Sequence, residues 1–178
     1  MLRSGNDEVV TLGVWIASEL GEKGKPLLGD VFVLLKHPAK KVRFSAIDCI
    51  LVWASPSESS ALVSVVGLLE DPEAGVRWKA MDFVSRASRE QLESALAYLV
   101  AINPKSSHVL GLRWLLGPQS HIPAEVMRIT DGEDPVLRKY GAIAAARISQ
   151  ESTQALFHAS GVPDPDVRDF AQASISLL

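Results

Sequence analysis

Apolar residues recur at three- and four-residue spacing through almost the whole chain, and nowhere does a two-residue alternation replace that rhythm. Val42, Ala46 and Ile50, and again Val76, Ala80 and Val84, each mark the buried side of a helix. Between such helices lie others with apolar stripes of their own, over 27–35, 62–69, 92–99, 122–129 and 153–157. Gly21 and Gly24, Ser55 and Ser57, Gly117 with Pro118, and Ser149 stand between the stripes, where the chain must turn. The pattern predicts an all-α protein.

The stripes repeat. HPAKKVRFSAIDCIL from His37, DPEAGVRWKAMDFV from Asp71, DPVLRKYGAIAAARI from Asp134 and DPDVRDFAQASISLL from Asp164 share an x-Pro step, then Val-Arg or Leu-Arg, then a small residue. Taking the apolar residue before that Arg as anchor gives Val42, Val76, Leu137 and Val167, with degenerate copies at Val9 and Val109. Successive anchors are 33, 34, 33, 28 and 30 residues apart. Four residues after each anchor stand Gly13, Ala46, Ala80, Arg113, Gly141 and Ala171, so all but Arg113 suit a close approach by a neighbouring backbone. Asp71, Asp134 and Asp164 are placed to cap helices, with Pro in the first turn. A helix pair of this length cannot bury both its faces alone, whereas stacked copies share a continuous core. The expectation is one repeat domain over 1–178.

The scheme Leu-Leu-x-Asp-Pro followed by Val-Arg-x-x-Ala, matched best over 68–80, resembles the HEAT-like repeat proteins of the short-repeat, phycobilisome-lyase type. The resemblance implies an α-solenoid, a right-handed superhelix of about five helix pairs after an amino-terminal half-repeat. It also implies that the Val-Arg helix is the second of each pair and lines the concave side. Arg43, Arg77, Arg138 and Arg168 are then expected to pair with an Asp of a neighbouring turn (Asp71, Asp134 or Asp164) as a ladder between repeats. The chain would begin with an unpaired inner helix over 6–20 and end with another over 166–178. Neither end carries a polar cap, so Trp15, Ile16, Leu177 and Leu178 call for a further segment, a partner or a second copy, and homodimerisation through one end stays open.

Composition narrows the chemistry. The 178 residues are 47% hydrophobic, enough for a substantial core and too many for a disordered chain. With 18 Lys+Arg against 21 Asp+Glu the net charge is -3, which argues against a nucleic-acid partner. The amino terminus turns polar at once and no apolar run reaches about 18 residues, so the expectation is a cytoplasmic protein with no membrane span. A single cysteine, Cys49, excludes a disulfide within the chain and falls on the apolar side of its helix. His37, His108, His121 and His158 are scattered, and residues 131–134 lack the alternating ligands of a calcium loop, so neither a metal nor another cofactor is expected. Residues 21–26 are too short for a phosphate-binding loop and read as a turn.

What remains is a surface. Two and six residues after the anchor, opposite the buried stripe, stand Phe44 with Asp48 and Trp78 with Asp82, each aromatic one helical turn from its acid. Trp15 has the second of these offsets, and Lys139 and Tyr140 are placed on a similar face of a later copy. Phe44, Asp48, Trp78, Asp82 and Tyr140 are therefore the candidate partner-binding residues, and no catalytic residue is assigned. The function expected is a non-catalytic protein-interaction module, an adaptor or an inhibitor such as a bacterial immunity-type protein. The alternatives are an enzyme resembling the HEAT-like alkylpurine DNA glycosylases, with Trp78, Asp82 and Arg113 in its site, or a bilin lyase subunit as the repeat family implies.

Overall fold

The computed structural model describes residues 1–53 and 59–178, so the turn expected at Ser55 and Ser57 lies outside the described residues. The described residues form α1 (Asp7–Glu19), α2 (Leu28–Leu34), α3 (Lys40–Trp53), α4 (Ser59–Val66), α5 (Ala74–Arg86), α6 (Arg89–Ile102), α7 (Ser107–Leu116), α8 (Pro123–Thr130), α9 (Pro135–Arg147), α10 (Gln154–Ala159) and α11 (Pro165–Ile175), with short 3-10 turns and no strand. Every anchor falls on an odd-numbered helix, and every intervening stripe on an even-numbered one. That alternation is an α-solenoid of five helix pairs after a half-repeat. The chain packs as two compact units, Met1–Ala80 and Met81–Leu178, which divide within α5. In the first, α1 and α2 both lie against α3; in the second, α7, α9 and α11 pack in succession while α6, α8 and α10 each pack on the odd helix that follows.

The turns are built around one polar device. Asp134 accepts hydrogen bonds from the Val136 and Leu137 amides (2.8 and 3.1 Å) and Asp164 from those of Asp166 and Val167 (3.0 and 3.4 Å), so each caps its helix while the next residue, Pro, sits where no donor is needed. Asp71 accepts likewise from the Glu73 amide. The repeated arginines join these caps. Arg43 donates to both carboxylate oxygens of Asp71 (2.7 and 2.9 Å) and, through Nη1, to the His37 and Pro38 carbonyls of its own turn. Arg138 donates to Asp164 (2.8 Å) and to the Gly132 and Glu133 carbonyls. Arg77 closes on its own turn in the same way, at the Asp71 and Pro72 carbonyls. Arg168 differs, donating to the adjacent Asp169. In the degenerate copy the Ser107 hydroxyl takes the place of the guanidinium and donates to Asp134. Burial pushes the Asp134 carboxyl up, but the hydrogen bonds from Ser107, Leu137 and Val136, with the charge of Arg138, hold it below the usual carboxylate range.

The small residues do what their spacing predicts. Ala46, Ala80 and Ala171 are fully buried, and a Cβ on Gly141 would stand 2.9 Å from the Thr130 amide nitrogen, so α9 rests against the end of α8 there. Arg113 is exposed and meets nothing of the kind. The close approach in α7 occurs instead at Gly111, where a Cβ would lie 2.1 Å from a ring carbon of Tyr140. The copy is shifted because its helix is short and begins without an Asp-Pro cap, Ser106 accepting from the Val109 amide in its stead.

Two stability predictions follow from these contacts. Gly111→Ala is expected to cost about 1–3 kcal/mol, since the Tyr140 ring has no room to retreat, whereas Gly29→Ala on α2, with open space beside it, should be neutral or stabilising by up to about 1 kcal/mol; urea midpoints that rank the two the other way would contradict the packing. The Arg43 and Asp71 side chains are only 10% and 3% exposed. Arg43→Met should therefore strand the carboxylate at a cost of about 3–5 kcal/mol, and adding Asp71→Asn should recover a substantial part. A double variant no more stable than Arg43→Met would show that the pair is not the buried unit described.

Candidate functional site

In the amino-terminal unit, the side of α1, α3 and the first turns of α5 that faces away from the even helices keeps large apolar side chains open to solvent. Trp15 is 58% exposed, Leu12 48% and Phe44 40%. They stand over two adjoining depressions of about 330 and 660 Å³ that share Thr11, Lys40, Lys41 and Ser45. One continues over Phe44, Gly75 and Val76, the other over Leu12, Trp15 and Ala39. The depressions exist because α1, α3 and α5 present Thr, Ser and Gly where bulkier residues would fill the seam. Gly75 is the clearest case: a Cβ there would come within 3.3 Å of the Phe44 ring, so the absence of a side chain lets that ring lie over α5.

Charge around the depressions is arranged in pairs. Lys79 on α5 donates to Asp48 on α3, and its ammonium lies 5.5 Å from the centre of the Phe44 ring. Lys40 is 3.4 Å from Glu73, and Asp7 is 3.9 Å from a ring nitrogen of His37. Lys40 and Lys41 occupy the first turn of α3, where the helix dipole disfavours a cation. Asp7 and Glu8 at the start of α1 line the same depression.

The sequence candidates are thus distributed unevenly. Phe44 and Asp48 lie together on this face, the acid in its pair with Lys79. Trp78 is half-buried. Asp82, one turn further along α5 and within the second unit, has a side chain only 16% exposed and is held by Arg86 at 2.8 Å. Tyr140 is not a surface residue at all: its exposure is 0%, with the ring slotted against Gly111 and edge-on to His108. Lys139 is also buried and reaches Asp166 at 3.4 Å. The cause is packing across the helix seam, because Gly111 on α7 leaves room for the Tyr140 ring where a side chain would hold it out. Leu12 has the same offset as Tyr140 and is exposed. Trp15 and Leu12 extend the candidate set, and the offset of six residues already marked Trp15.

Among the described residues no group of three or more His, Cys, Asp or Glu side chains is placed to hold a metal ion, and no helix is long and apolar enough to cross a membrane. No protein-family model matches this sequence, and neither does any curated protein. Among solved structures the chain is similar to the designed armadillo repeat protein YIII(Dq)4CqI, at 18% identity, with 98% of this chain and 95% of that one covered and a TM-score of 0.46. It is also similar to the designed armadillo repeat protein YIII(Dq.V1)4CPAF in complex with peptide (KR)4, at 17% identity, the same coverage and a TM-score of 0.48.

Cys49 on α3 is 2% exposed, and burial with the adjacent Asp48 charge pushes its thiol up to about 11. The thiol belongs to the core and not to the chemistry of the face. Ellman's reagent at pH 8 is expected to leave Cys49 unmodified in the native protein and to titrate it fully in guanidinium chloride; rapid reaction of the folded chain would contradict that placement.

Proposed function

We propose that this protein is a non-catalytic binding module of HEAT-like type that holds a protein partner against the α1, α3 and α5 face of its amino-terminal unit. The observation that carries the reading is the exposure of Trp15, Leu12 and Phe44 together over two adjoining depressions. Aromatic residues over a concavity are the usual anchors of protein interfaces. Phe44, Trp78, Trp15 and Leu12 supply apolar contact. Asp48, with Lys79, supplies a polar rim. An adaptor or immunity-type inhibitor acting in the cytoplasm fits a face of this kind, which needs no cofactor and no moving part. The excision-enzyme alternative asks Asp82 to act as a free acid or base, and its ion pair with Arg86 speaks against that.

The test is a partner identified by photo-crosslinking from a benzophenone placed at Leu12, then titrated directly by calorimetry. Trp15→Ala/Phe44→Ala is expected to weaken that partner at least 100-fold, about 2.7 kcal/mol or more, while Tyr98→Ala on α6 leaves affinity unchanged. Equal affinity for the wild type and the double variant would remove this face from the interaction.

A further inference from the structure

The apolar face of the amino-terminal unit carries a charge pattern set by the repeat itself. Asp7 and Glu8 stand two and one residues before the anchor Val9, and Lys40 and Lys41 hold the same two positions before the anchor Val42. Neighbouring copies therefore bear opposite charge at equivalent positions. The third copy, with Ala74 and Gly75 there, bears none. All four charged residues line one depression, and Thr11 of α1, one turn further on, lines it together with Ser45 of α3. The two helices thus run side by side in the same direction, with the acids at the start of one beside the bases at the start of the other.

Only half of this charge is matched within the chain. Lys40 lies 3.4 Å from Glu73, and Asp7 lies 3.9 Å from a ring nitrogen of His37. Glu8 and Lys41 are exposed and make no ion pair among the described residues. Lys41 also faces the positive end of the α3 dipole, a cost that an acid from outside the chain would offset. Size alternates in the same way as charge. Two residues after the anchor α1 has Thr11 where α3 has Phe44, and three residues after it α1 has Leu12 where α3 has Ser45. The large members are exposed, and the small members, Thr11 and Ser45, line both depressions.

We propose that this face binds a second copy of the chain, in a two-fold dimer whose axis runs between α1 and α3 and parallel to them. That rotation lays α3 of each copy over α1 of the other and keeps the helix directions the same. Glu8 then meets Lys41 of the second copy, and the pair occurs twice. Phe44 of each copy comes over Thr11 of the other, and Leu12 over Ser45, so each large side chain enters a depression lined by a small one. An unrelated protein must supply a matching acid, base and apolar group independently. A face with opposite charge and opposite size at equivalent repeat positions is already complementary to itself. The inference rests on the reading that this face binds protein, and it names the protein.

The experiment is sedimentation equilibrium of the full chain at about 50 mM salt, where surface charges are weakly screened. A concentration-dependent dimer is expected. Each substitution enters the interface twice, so Glu8→Lys and Lys41→Glu should each weaken self-association about tenfold or more. An equimolar mixture of the two variants should recover dimers, because opposite charges then meet at both contacts. Lys41→Glu puts an acid at a helix start and should not weaken the fold; circular dichroism checks Glu8→Lys. A wild type that stays monomeric, a dimer indifferent to both charge reversals, or a mixture that associates no better than either variant alone would overturn the proposal. The wider reading fails separately. A monomeric wild type whose cross-linked partner is still weakened by Trp15→Ala/Phe44→Ala would overturn the dimer and leave the binding face in place.

Discussion

Everything in this structure leans on an arginine that holds two turns at once. Its Nη1 closes the x-Pro turn that begins its own helix, and where an acid follows in the next copy, its remaining donors take the carboxylate that caps the next helix. Neither bond would be worth much on a solvated surface. Around Arg43 and Asp71 the site is dry, so the rung fixes both the local turn and the step from one repeat to the next. The same carboxylate serves as helix cap and as rung, which is why the repeat writes Asp-Pro at one end of its signature and Val-Arg at the other. Losing either residue uncouples two helices rather than one.

Where the rung is weakened, packing takes over. The copy that begins at α7 has no arginine in place, and Ser107 supplies a single neutral donor to Asp134. In that copy the Tyr140 ring of α9 fills the gap left by Gly111 on α7. A glycine within a helix costs about 1 kcal/mol against alanine, yet here it admits a whole aromatic side chain to the core. Burying that ring contributes more than the glycine costs. Beyond the short α7, Arg147 on α9 reaches the end of α5 and donates to the Ser85 and Ala87 carbonyls.

This explains what the sequence disclosed and what it withheld. Helix positions and the order of the repeats were legible because the 3.6-residue period, the Asp-Pro caps and the small residues are local signals, each carried within one copy. The ladder was legible at Arg43 and Arg138 through resemblance, and Arg168 departed because its own neighbour Asp169 lies closer to hand. Tyr140 was misplaced because the offset from the anchor does not by itself fix exposure: Leu12 at the same offset is open, whereas Tyr140 is covered where Gly111 leaves room for its ring. Gly111 and Arg147 were invisible for a different reason. Their partners lie 29 and 60 residues away, and nothing in either segment marks the other.

The way charge is distributed also bears on the binding role proposed for this chain. Asp71, Asp134 and Asp164 are engaged in turns, Asp48 and Asp82 in ion pairs, and Lys139 is buried against Asp166. The acids nearest the aromatics are thus engaged in ion pairs rather than free. Such pairs suit a binding surface, because a paired rim keeps an open aromatic surface soluble while excluding water once a partner covers it. Trp15, Leu12 and Phe44 stay exposed beside such pairs. A face that pairs the acids and bases beside its exposed apolar side chains, as Asp48 with Lys79 and Glu73 with Lys40, is equipped to hold another molecule in place.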